Sequence, residues 1–355
     1  MPQKERTVSL NIGGRKVGGD APAFVIAELS ANHAQKLDVA LRTVRAAKKA
    51  GADAIKIQTY TADTLTIDCA NRYFRIDQGT LWDGRTLYDL YKEAYTPWDW
   101  HYKIKKAAEE EGLIFFSTPF DRTAVDFLAE LGVPVYKIAS FEMTDLPLIE
   151  YIAARKKPVI MSTGISPLAE ISEAVAACRK KGNRELAVLK CTSSYPAPFE
   201  EMNLATIPDM ARRFGCVAGL SDHSAGGSAA VAAAALGAKV IEKHFILDRK
   251  IGGPDASFSL EPAEFAGMVK AVREAEKSLG GVTYALSRAS KLSRNFSRSL
   301  FAVADIKRGE VFTAGNVRSI RPGYGLPPKF LPKILGRRAA RAVPRGTPLA
   351  WKLIA

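Results

Sequence analysis

The sequence predicts an α/β protein in which a (β/α)8 TIM barrel is followed by a small β-rich domain. Eight short apolar runs alternate with helix-period segments between Phe24 and Leu279, which matches the number of units and the size of such a barrel. Polar side chains stand at the C-terminal ends of these runs, where a barrel carries its active site. After Gly280 the chain becomes polar and basic and then returns to short strand-like runs, which indicates a second unit.

The first apolar run, Phe24–Leu29, precedes a helix pattern over 38–50 that stops at Gly51, a usual helix terminator. The second run, 54–59, leads into a long insertion at 60–97 that is rich in aromatic residues. Insertions of this length in compact domains usually serve as lids or binding loops. Beyond it we predict strands at 114–118, 135–140, 158–163, 186–192, 217–222 and 240–245, and helices at 98–111, 123–131, 146–155, 168–181, 204–214, the Ala-rich stretch after 222, and 262–279.

An open, doubly wound sheet is the alternative for such an alternation, but no GxGxxG sequence follows the first apolar run. We therefore predict a barrel over residues 1–280, a linker over 281–297 and a small β-rich domain over 298–355. Within that domain, 305–317 weakly resembles 342–354, because both contain an Arg-Gly turn before an apolar pair.

Composition favours a cytoplasmic enzyme without a membrane partner. The 355 residues are 47% hydrophobic, which is ordinary for a globular protein with a sizeable core. The four cysteines show no paired spacing, which is typical of a reducing compartment. No signal-peptide core and no uncharged apolar run of 18 residues is present in the sequence.

The net charge of +14 is concentrated at one end of the chain. Fourteen of the 51 Lys and Arg residues, but only two of the 37 Asp and Glu residues, lie between Ser290 and Ala355. This imbalance fits a nucleic-acid surface, an acidic partner surface or a solvated basic face. The segment has few aromatic residues to stack on bases, so we expect no nucleic-acid partner.

Two lysines interrupt apolar runs at matching places. Lys56 stands between Ile55 and Ile57, and Lys137 stands between Tyr136 and Ile138. A buried lysine is costly unless it meets an opposite charge, and two together predict an anionic ligand, whereas a single one could snorkel at an edge. The polar residues at or near the strand ends are Glu28, Lys56, Gln58, Thr118, Lys137, Ser140, Ser162, Cys191, Thr192, Ser221, Lys243 and His244.

Two of the chain's four histidines, His223 and His244, each follow a short apolar run on either side of the Ala-rich helix. A right-handed strand–helix–strand crossover would place both at the same edge of neighbouring parallel strands. Imidazole ligands with open remaining positions suit Mn, Zn, Fe or Co. The alternative is that two histidines merely terminate two strands.

Ordered motifs along nearly the whole chain resemble the sialic acid synthase family. RSLFAVADIKRGE and IRPGYGL near the C-terminus resemble the antifreeze-like (SAF) domain of that family. ELSANH, KIASFE and LWDGRTLYDLYKEAYTPW are most similar to the pseudaminic acid synthase branch. NHAQK (32–36) stands where the family usually has NHNG, so we interpret the loop beyond His33 as structural. The other matching segments are GADAIKIQTY (51–60), FSTPFD (116–121), STG (162–164), KCTSSYP (190–196), GLSDHS (219–224), EKHF (242–245) and GPDASFS (253–259).

The resemblance implies a transferase that condenses phosphoenolpyruvate with 2,4-diacetamido-2,4,6-trideoxy-altrose to form pseudaminic acid, with C–O cleavage and release of phosphate. The alternatives are an N-acetylneuraminate or legionaminic acid synthase that uses another N-acetylated amino sugar, and a metal-dependent sugar isomerase or aldolase on the same barrel. The resemblance further implies a divalent metal held by His223 and His244, with Mn favoured and Mg or Co as alternatives. It also implies a homodimer with swapped SAF domains, in which Arg321 reaches the partner's site.

The resemblance assigns catalytic roles to Glu142, as the acid/base residue, and to Glu28, which would face the sugar or a metal-bound water. The residues that it assigns to substrate binding are Lys56, Gln58, Thr118, Lys137, Ser140, Ser162, Ser193, Tyr195, Ser221, Asp255 and Arg321.

Overall fold

The computed structural model describes residues 8–355 and divides into two compact units after Gly280. The first unit begins with an antiparallel hairpin, β1 (Ser9–Ile12) and β2 (Arg15–Gly18). A closed barrel of eight parallel strands follows. These strands are β3 (Phe24–Glu28), β4 (Ala54–Thr59), β5 (Ile114–Pro119), β6 (Tyr136–Ile138), β7 (Val159–Ser162), β8 (Leu186–Cys191), β9 (Val217–Asp222) and β10 (Val240–His244).

The barrel closes because β10 pairs in parallel with both β9 and β3. In the closing register, Val240 lies opposite Phe24 and His244 lies opposite Glu28. Each strand from β3 to β9 pairs in parallel with the next one. The predicted (β/α)8 barrel is therefore confirmed, and the open doubly wound alternative is excluded.

The hairpin at the start of the chain was not predicted, and it covers the N-terminal end of the barrel. Arg15 Nη1 lies 2.6 Å from Asp53 Oδ1, just before β4. A Cβ atom on Gly18 would lie 2.8 Å from Val217 Cγ2, at the start of β9. Because the hairpin packs this closely against the strand starts, access to the barrel interior is from the C-terminal face.

Helices surround the barrel, and local capping defines their ends. The Asp121 carboxylate accepts hydrogen bonds from the amides of Thr123 and Ala124 at the start of one helix, which ends at Gly132 in the left-handed conformation. In residues 8–355, none of the helices has the length and apolar character needed to span a bilayer. The helices of the first unit are α1 (Leu37–Lys49), α2 (Ala62–Leu65), α3 (Leu87–Ala94), α4 (Trp100–Glu110), α5 (Arg122–Leu131), α6 (Leu146–Ala153), α7 (Leu168–Lys180), α8 (Thr206–Phe214), α9 (Ser228–Ala235) and α10 (Pro262–Leu279).

The long insertion between β4 and α4 carries α2 and α3 and is anchored over the C-terminal face. Trp82 Nε1 donates a hydrogen bond to the carbonyl oxygen of Pro254, 3.0 Å away, in the segment after β10. Tyr60 packs edge-on against Phe120 and Tyr91. These contacts hold the insertion against the strand ends that bear the polar residues.

The second unit has its own small core and contains little regular structure. It comprises α11 (Arg288–Ser293), β11 (Ser299–Ala302), β12 (Val317–Ile320) and α12 (Leu331–Ile334), and β11 pairs antiparallel with β12. The two Arg-Gly turns of the sequence repeat both contain a glycine with positive φ, 79° at Gly309 and 84° at Gly346. Helix α11 lies inside the segment that we predicted as a linker.

Candidate active site

A cavity of about 570 Å³ lies at the C-terminal ends of the barrel strands. Its lining includes all the predicted site residues of the first unit, whereas Arg321 belongs to the second unit. Their proximity is a finding, and their individual roles remain predictions. The predicted residues in the lining are Glu28, Lys56, Gln58, Thr118, Lys137, Ser140, Glu142, Ser162, Ser193, Tyr195, Ser221, His223, His244 and Asp255.

Strand alternation determines which side chains reach this cavity. Successive residues of a strand point to opposite faces, so Glu242 and His244 both line the cavity. Lys243, between them, instead pairs with Asp222 outside the lining. The sequence pattern had grouped Lys243 with the strand-end residues without distinguishing the two faces.

Two buried ammonium groups converge on the cavity floor. Lys137 Nζ donates to Ser162 Oγ at 2.7 Å, and Lys56 Nζ lies 2.7 Å from Glu28 Oε2. Each Nζ atom lies 3.7 Å from the same carboxylate oxygen, Oε1 of Glu242. Burial works against ionisation of Glu242, but the two lysines hold its pKa below the usual value. When Glu28, whose pKa is raised to about 7, is protonated, the two ammonium groups face only the Glu242 carboxylate and leave net positive charge for an anionic ligand.

Sequence reasoning assigned no role to Glu242. Its Oε1 also accepts a hydrogen bond from Ser221 Oγ at 3.2 Å, and its Oε2 is buried without a hydrogen-bond partner. The available signal was its spacing of two residues from His244, which places both side chains on one face of the strand; closure of the barrel decides which of the two faces lines the cavity.

Hydroxyl groups line the wall beside Lys137. Ser140 Oγ and Ser193 Oγ are 2.8 Å apart and share a hydrogen bond. A Cβ atom at Gly164 would clash with Ser193 Oγ, so the residue after Ser162-Thr163 must be glycine for this wall to form. Hydroxyl and ammonium groups that lie side by side can donate hydrogen bonds to phosphate and carboxylate oxygens.

The two candidate metal-binding histidines lie beside each other, with ring centroids 5.4 Å apart. His223 Nδ1 lies 3.0 Å from the carbonyl oxygen of Thr192; since a carbonyl only accepts, this nitrogen donates and Nε2 is left as the Lewis base. His244 Nδ1 is buried without a hydrogen-bond partner, 3.6 Å from Asp255 Oδ2. Burial and the positive charge of its neighbours hold the pKa of His244 well below its usual value, so its imidazole is neutral.

Across residues 8–355, no three His, Cys, Asp or Glu side chains form a ready-made metal site. The donors present are two imidazoles with available nitrogens and the nearby Asp255 carboxylate. This set fits a cation that keeps several open positions for water or substrate.

Two carboxyl groups in the cavity bind protons near neutral pH. Burial raises the pKa of Glu142 to about 7 against the opposing effect of Lys137, and Glu142 Oε2 has no hydrogen-bond partner. Burial also raises the pKa of Glu28 to about 7, with Lys56 opposing the shift and Glu242 adding to it. A carboxyl group that titrates near the operating pH is suited to general acid–base catalysis.

Aromatic side chains also line the cavity. Tyr195 packs against His223, with ring centroids 4.4 Å apart, and against Trp82 at 5.4 Å. Phe258 lies behind them and contacts the rings of both Tyr195 and His244. Phe141 lines the mouth and is 57% exposed. The cavity thus combines a charged floor with an apolar, aromatic side.

Two further residues that the sequence analysis singled out are His33 and Arg321. His33 is buried, and its Nδ1 accepts a hydrogen bond from the amide of Gln35 at 3.1 Å; burial lowers its pKa to about 4. This agrees with a structural role for that loop. Arg321 is exposed in a turn of the second unit, and its relation to any cavity remains a prediction.

Comparison with known proteins gives matches over both units. The NeuB family model matches residues 43–284, and the SAF domain model matches residues 297–355. The chain is 48% identical over 330 residues to a pseudaminic acid synthase of Campylobacter jejuni, covering 93% of this chain and 96% of that protein. It is 36% identical to an N,N'-diacetyllegionaminic acid synthase of the same species, covering 90% and 96%. A sialic acid synthetase structure from Leptospira borgpetersenii aligns with a TM-score of 0.72 at 32% identity, covering 81% of this chain and 95% of that one.

Proposed function

The chain belongs to the NeuB family, and we propose that it condenses phosphoenolpyruvate with 2,4-diacetamido-2,4,6-trideoxy-altrose to form pseudaminic acid and phosphate. The geometric observation that carries the proposal is the convergence of Lys56 and Lys137 on the floor of one cavity. Identity to a pseudaminic acid synthase, at 48%, exceeds that to a legionaminic acid synthase, at 36%. This difference supports the choice of sugar.

Phosphoenolpyruvate carries a phosphate and a carboxylate, and the cavity floor offers matching donors. Lys56 and Lys137 would neutralise the two anionic groups, with hydroxyl support from Ser140, Ser162 and Ser193. Charge-assisted hydrogen bonds of this kind are shorter and stronger than neutral ones. The remaining anion ligands in this proposal are Thr118 and Ser221.

The reaction forms a bond between C3 of phosphoenolpyruvate and the aldehyde carbon of the open-chain sugar. Water then adds at C2, and phosphate leaves by cleavage of the C–O bond. Glu142, whose pKa is raised to about 7, would supply and remove protons during these steps. Glu28 and Gln58 are hydrogen-bonded to each other at 3.1 Å and would orient the sugar hydroxyls.

His223 and His244 would hold a divalent cation, for which Mn²⁺ is favoured and Mg²⁺ or Co²⁺ are alternatives. The buried, unpartnered Nδ1 of His244 supports this assignment, because a buried nitrogen without a partner is costly. When bound, the cation would act as a Lewis acid on the aldehyde oxygen. Asp255 and Tyr195 would face the sugar or the water bound to the cation.

The apolar side of the cavity supports a sugar with a methyl group at C6. Trp82, Phe141 and Tyr195 offer aromatic surface there, whereas a sugar with hydroxyls at its far end would need donors. N-acetylneuraminate and legionaminic acid synthesis are the alternative activities, because one added hydroxyl is discriminated only about a hundredfold by an apolar pocket.

We further propose that the functional unit is a homodimer with swapped SAF domains in the cytoplasm. Arg321 would then hold the sugar in the partner's cavity. The strong positive charge of the C-terminal segment supports a partner surface, and the four free cysteines support a reducing compartment.

The decisive test is phosphate release measured with phosphoenolpyruvate and a panel of N-acetylated amino sugars. We expect kcat/KM to be highest for the 2,4-diacetamido-2,4,6-trideoxy-altrose. Higher kcat/KM with N-acetylmannosamine would identify a sialic acid synthase instead, and phosphoenolpyruvate-independent turnover of a sugar would favour the isomerase or aldolase alternative.

A further inference from the structure

A buried ion pair lies directly behind the two histidines that line the cavity. Lys243 Nζ lies 2.8 Å from Asp222 Oδ2, and both side chains are 0% exposed. The two residues are register partners on β10 and β9. His223 follows Asp222 in sequence and His244 follows Lys243, so the pair joins the strand ends from which both imidazoles project.

The same pair also fixes the turn after His223. Asp222 Oδ1 accepts hydrogen bonds from the amide of Ser224 at 2.8 Å and from its hydroxyl at 2.7 Å. Lys243 Nζ donates to the carbonyl oxygen of Ser224. The backbone of Ser224 is therefore held at both its N–H and its C=O by the two members of one ion pair.

A fold-stabilising role alone explains this arrangement poorly. Burying an ion pair costs much of what the pair gains, and apolar side chains of similar volume often replace such pairs without loss of stability. What a charged pair adds is a single fixed geometry for the groups that it joins. Here the joined groups are the backbone segments on either side of His223 and His244.

We propose that the Asp222–Lys243 pair is a positioning device that sets the relative placement of the His223 and His244 imidazoles for a divalent cation. The cation rests on the proposed function, whereas the imidazole geometry does not. Groups outside the direct ligands typically change metal affinity by about tenfold to a hundredfold when altered. The proposed role is therefore measurable without an activity assay.

The variant that tests it is Asp222→Asn combined with Lys243→Met. The double substitution removes both charges together, so neither is left buried and unpaired, and Met fills the volume of the lysine stem. The matched control is Arg273→Met, which removes ion pairs to Asp53 and Glu276 near the N-terminal end of the barrel. Both variants remove partly or fully buried charge, but only the double variant affects the turn after His223.

Two measurements apply to the full-length protein. The first is Mn²⁺ affinity by calorimetry, which we expect to fall about tenfold to a hundredfold in the double variant and to stay unchanged in Arg273→Met. The second is the imidazole NMR spectrum without metal, in which the signals of His223 and His244 should shift and that of His101, buried against Thr59, should not. Substituting each histidine in turn assigns the signals.

Unchanged His223 and His244 signals together with unchanged Mn²⁺ affinity in the folded double variant would overturn the positioning role. Failure of the wild-type protein to bind Mn²⁺ would refute the proposed metal site, and the imidazole shifts would still decide the positioning role. If the double variant does not fold, Ser224→Ala replaces it, because it removes only the hydroxyl contact to Asp222. We then expect smaller shifts of the same two imidazole signals, and unshifted signals would overturn the proposal.

Discussion

Lys137 Nζ lies 3.7 Å from Glu242 Oε1 on the floor of the cavity, although both side chains are almost completely buried. The separation exceeds that of a good charge-assisted hydrogen bond, so the ammonium is attracted by the carboxylate without being fully satisfied by it. Lys56 lies at the same distance from the same oxygen, and its nearer partner, Glu28 Oε2 at 2.7 Å, belongs to a carboxyl group whose pKa is raised to about 7. The two lysines therefore retain capacity for an anion that enters between them.

The Lys137→Met substitution should weaken phosphoenolpyruvate binding while the fold survives, because Met fills the stem volume without the charge. Loss of a charge-assisted hydrogen bond costs about 1.5–3 kcal/mol, which corresponds to roughly tenfold to a hundredfold in Kd. Calorimetric titration with phosphoenolpyruvate measures it. Lys190→Met is the control, since Lys190 is part-buried on β8, bonds the backbone oxygen of Cys191 and is not itself among the residues that line the cavity. Equal affinity in wild type and Lys137→Met would exclude this lysine as a contact.

Removal of divalent metal should abolish phosphate release, and Mn²⁺ should restore it. Lewis-acid stabilisation of developing charge contributes several kcal/mol, so we expect a loss of about a hundredfold or more. His244→Ala should show the same loss and should not recover at ordinary metal concentrations. Treatment with chelator followed by metal titration is the measurement, and full activity of the metal-free wild type would contradict the assignment of His223 and His244.

Glu142→Gln should lower activity and raise stability at the same time. The pKa of Glu142 is raised to about 7 by burial, with Lys137 opposing and Asp145 adding to the shift, whereas an unfolded glutamate titrates near 4.5. Between these values the folded protein binds more protons than the unfolded one, so this carboxyl group reduces the free energy of unfolding as pH rises. The reduction is complete above about pH 7 and absent below about pH 4.5.

The side-chain amide of the Glu142→Gln variant has no charge to bury, so the Tm of this variant should exceed that of wild type more at pH 8 than at pH 4. The expected gain is on the order of 1–3 kcal/mol at pH 8. The contribution of Glu142 to the limb near pH 7 in the wild-type kcat/KM profile should also be lost, whereas that of Glu28, whose pKa is likewise raised to about 7, should remain. A Tm difference that does not vary with pH would show that Glu142 titrates normally in the folded protein.

Arg321→Ala should reduce activity without unfolding the barrel, if Arg321 completes the partner's cavity. Mixing an Arg321→Ala chain with a His244→Ala chain should then regenerate one working site per mixed dimer, with wild-type His244 on one chain and wild-type Arg321 on the other. Random exchange would restore about a quarter of the wild-type sites. Phosphate release after exchange measures this, and the unmixed parents are the controls. No recovery despite demonstrated exchange would exclude action across the interface.

Much of the barrel is predictable from sequence because its signals are local. Apolar runs of strand length alternate with helix-period segments, and caps such as Asp121 and Gly132 define helix ends by interactions within a few residues. Lys56 and Lys137 were recognisable as site residues because isolated charges in apolar strands require a partner. His223 and His244 were recognisable because they end consecutive apolar runs joined by one helix.

Only the tertiary structure distinguishes Glu242 from Lys243. Both residues stand in β10, which has one face towards the barrel interior and the other towards the helices. Because both faces are buried, an apolar pattern cannot tell which face a polar residue occupies. Closure of the barrel decides it, because the register of β10 with β3 and β9 turns Glu242 and His244 inward and Lys243 towards Asp222. The hairpin at residues 9–18 also depends on tertiary contacts, since a short two-stranded ribbon gains stability by packing against the strand starts around Asp53 and Val217.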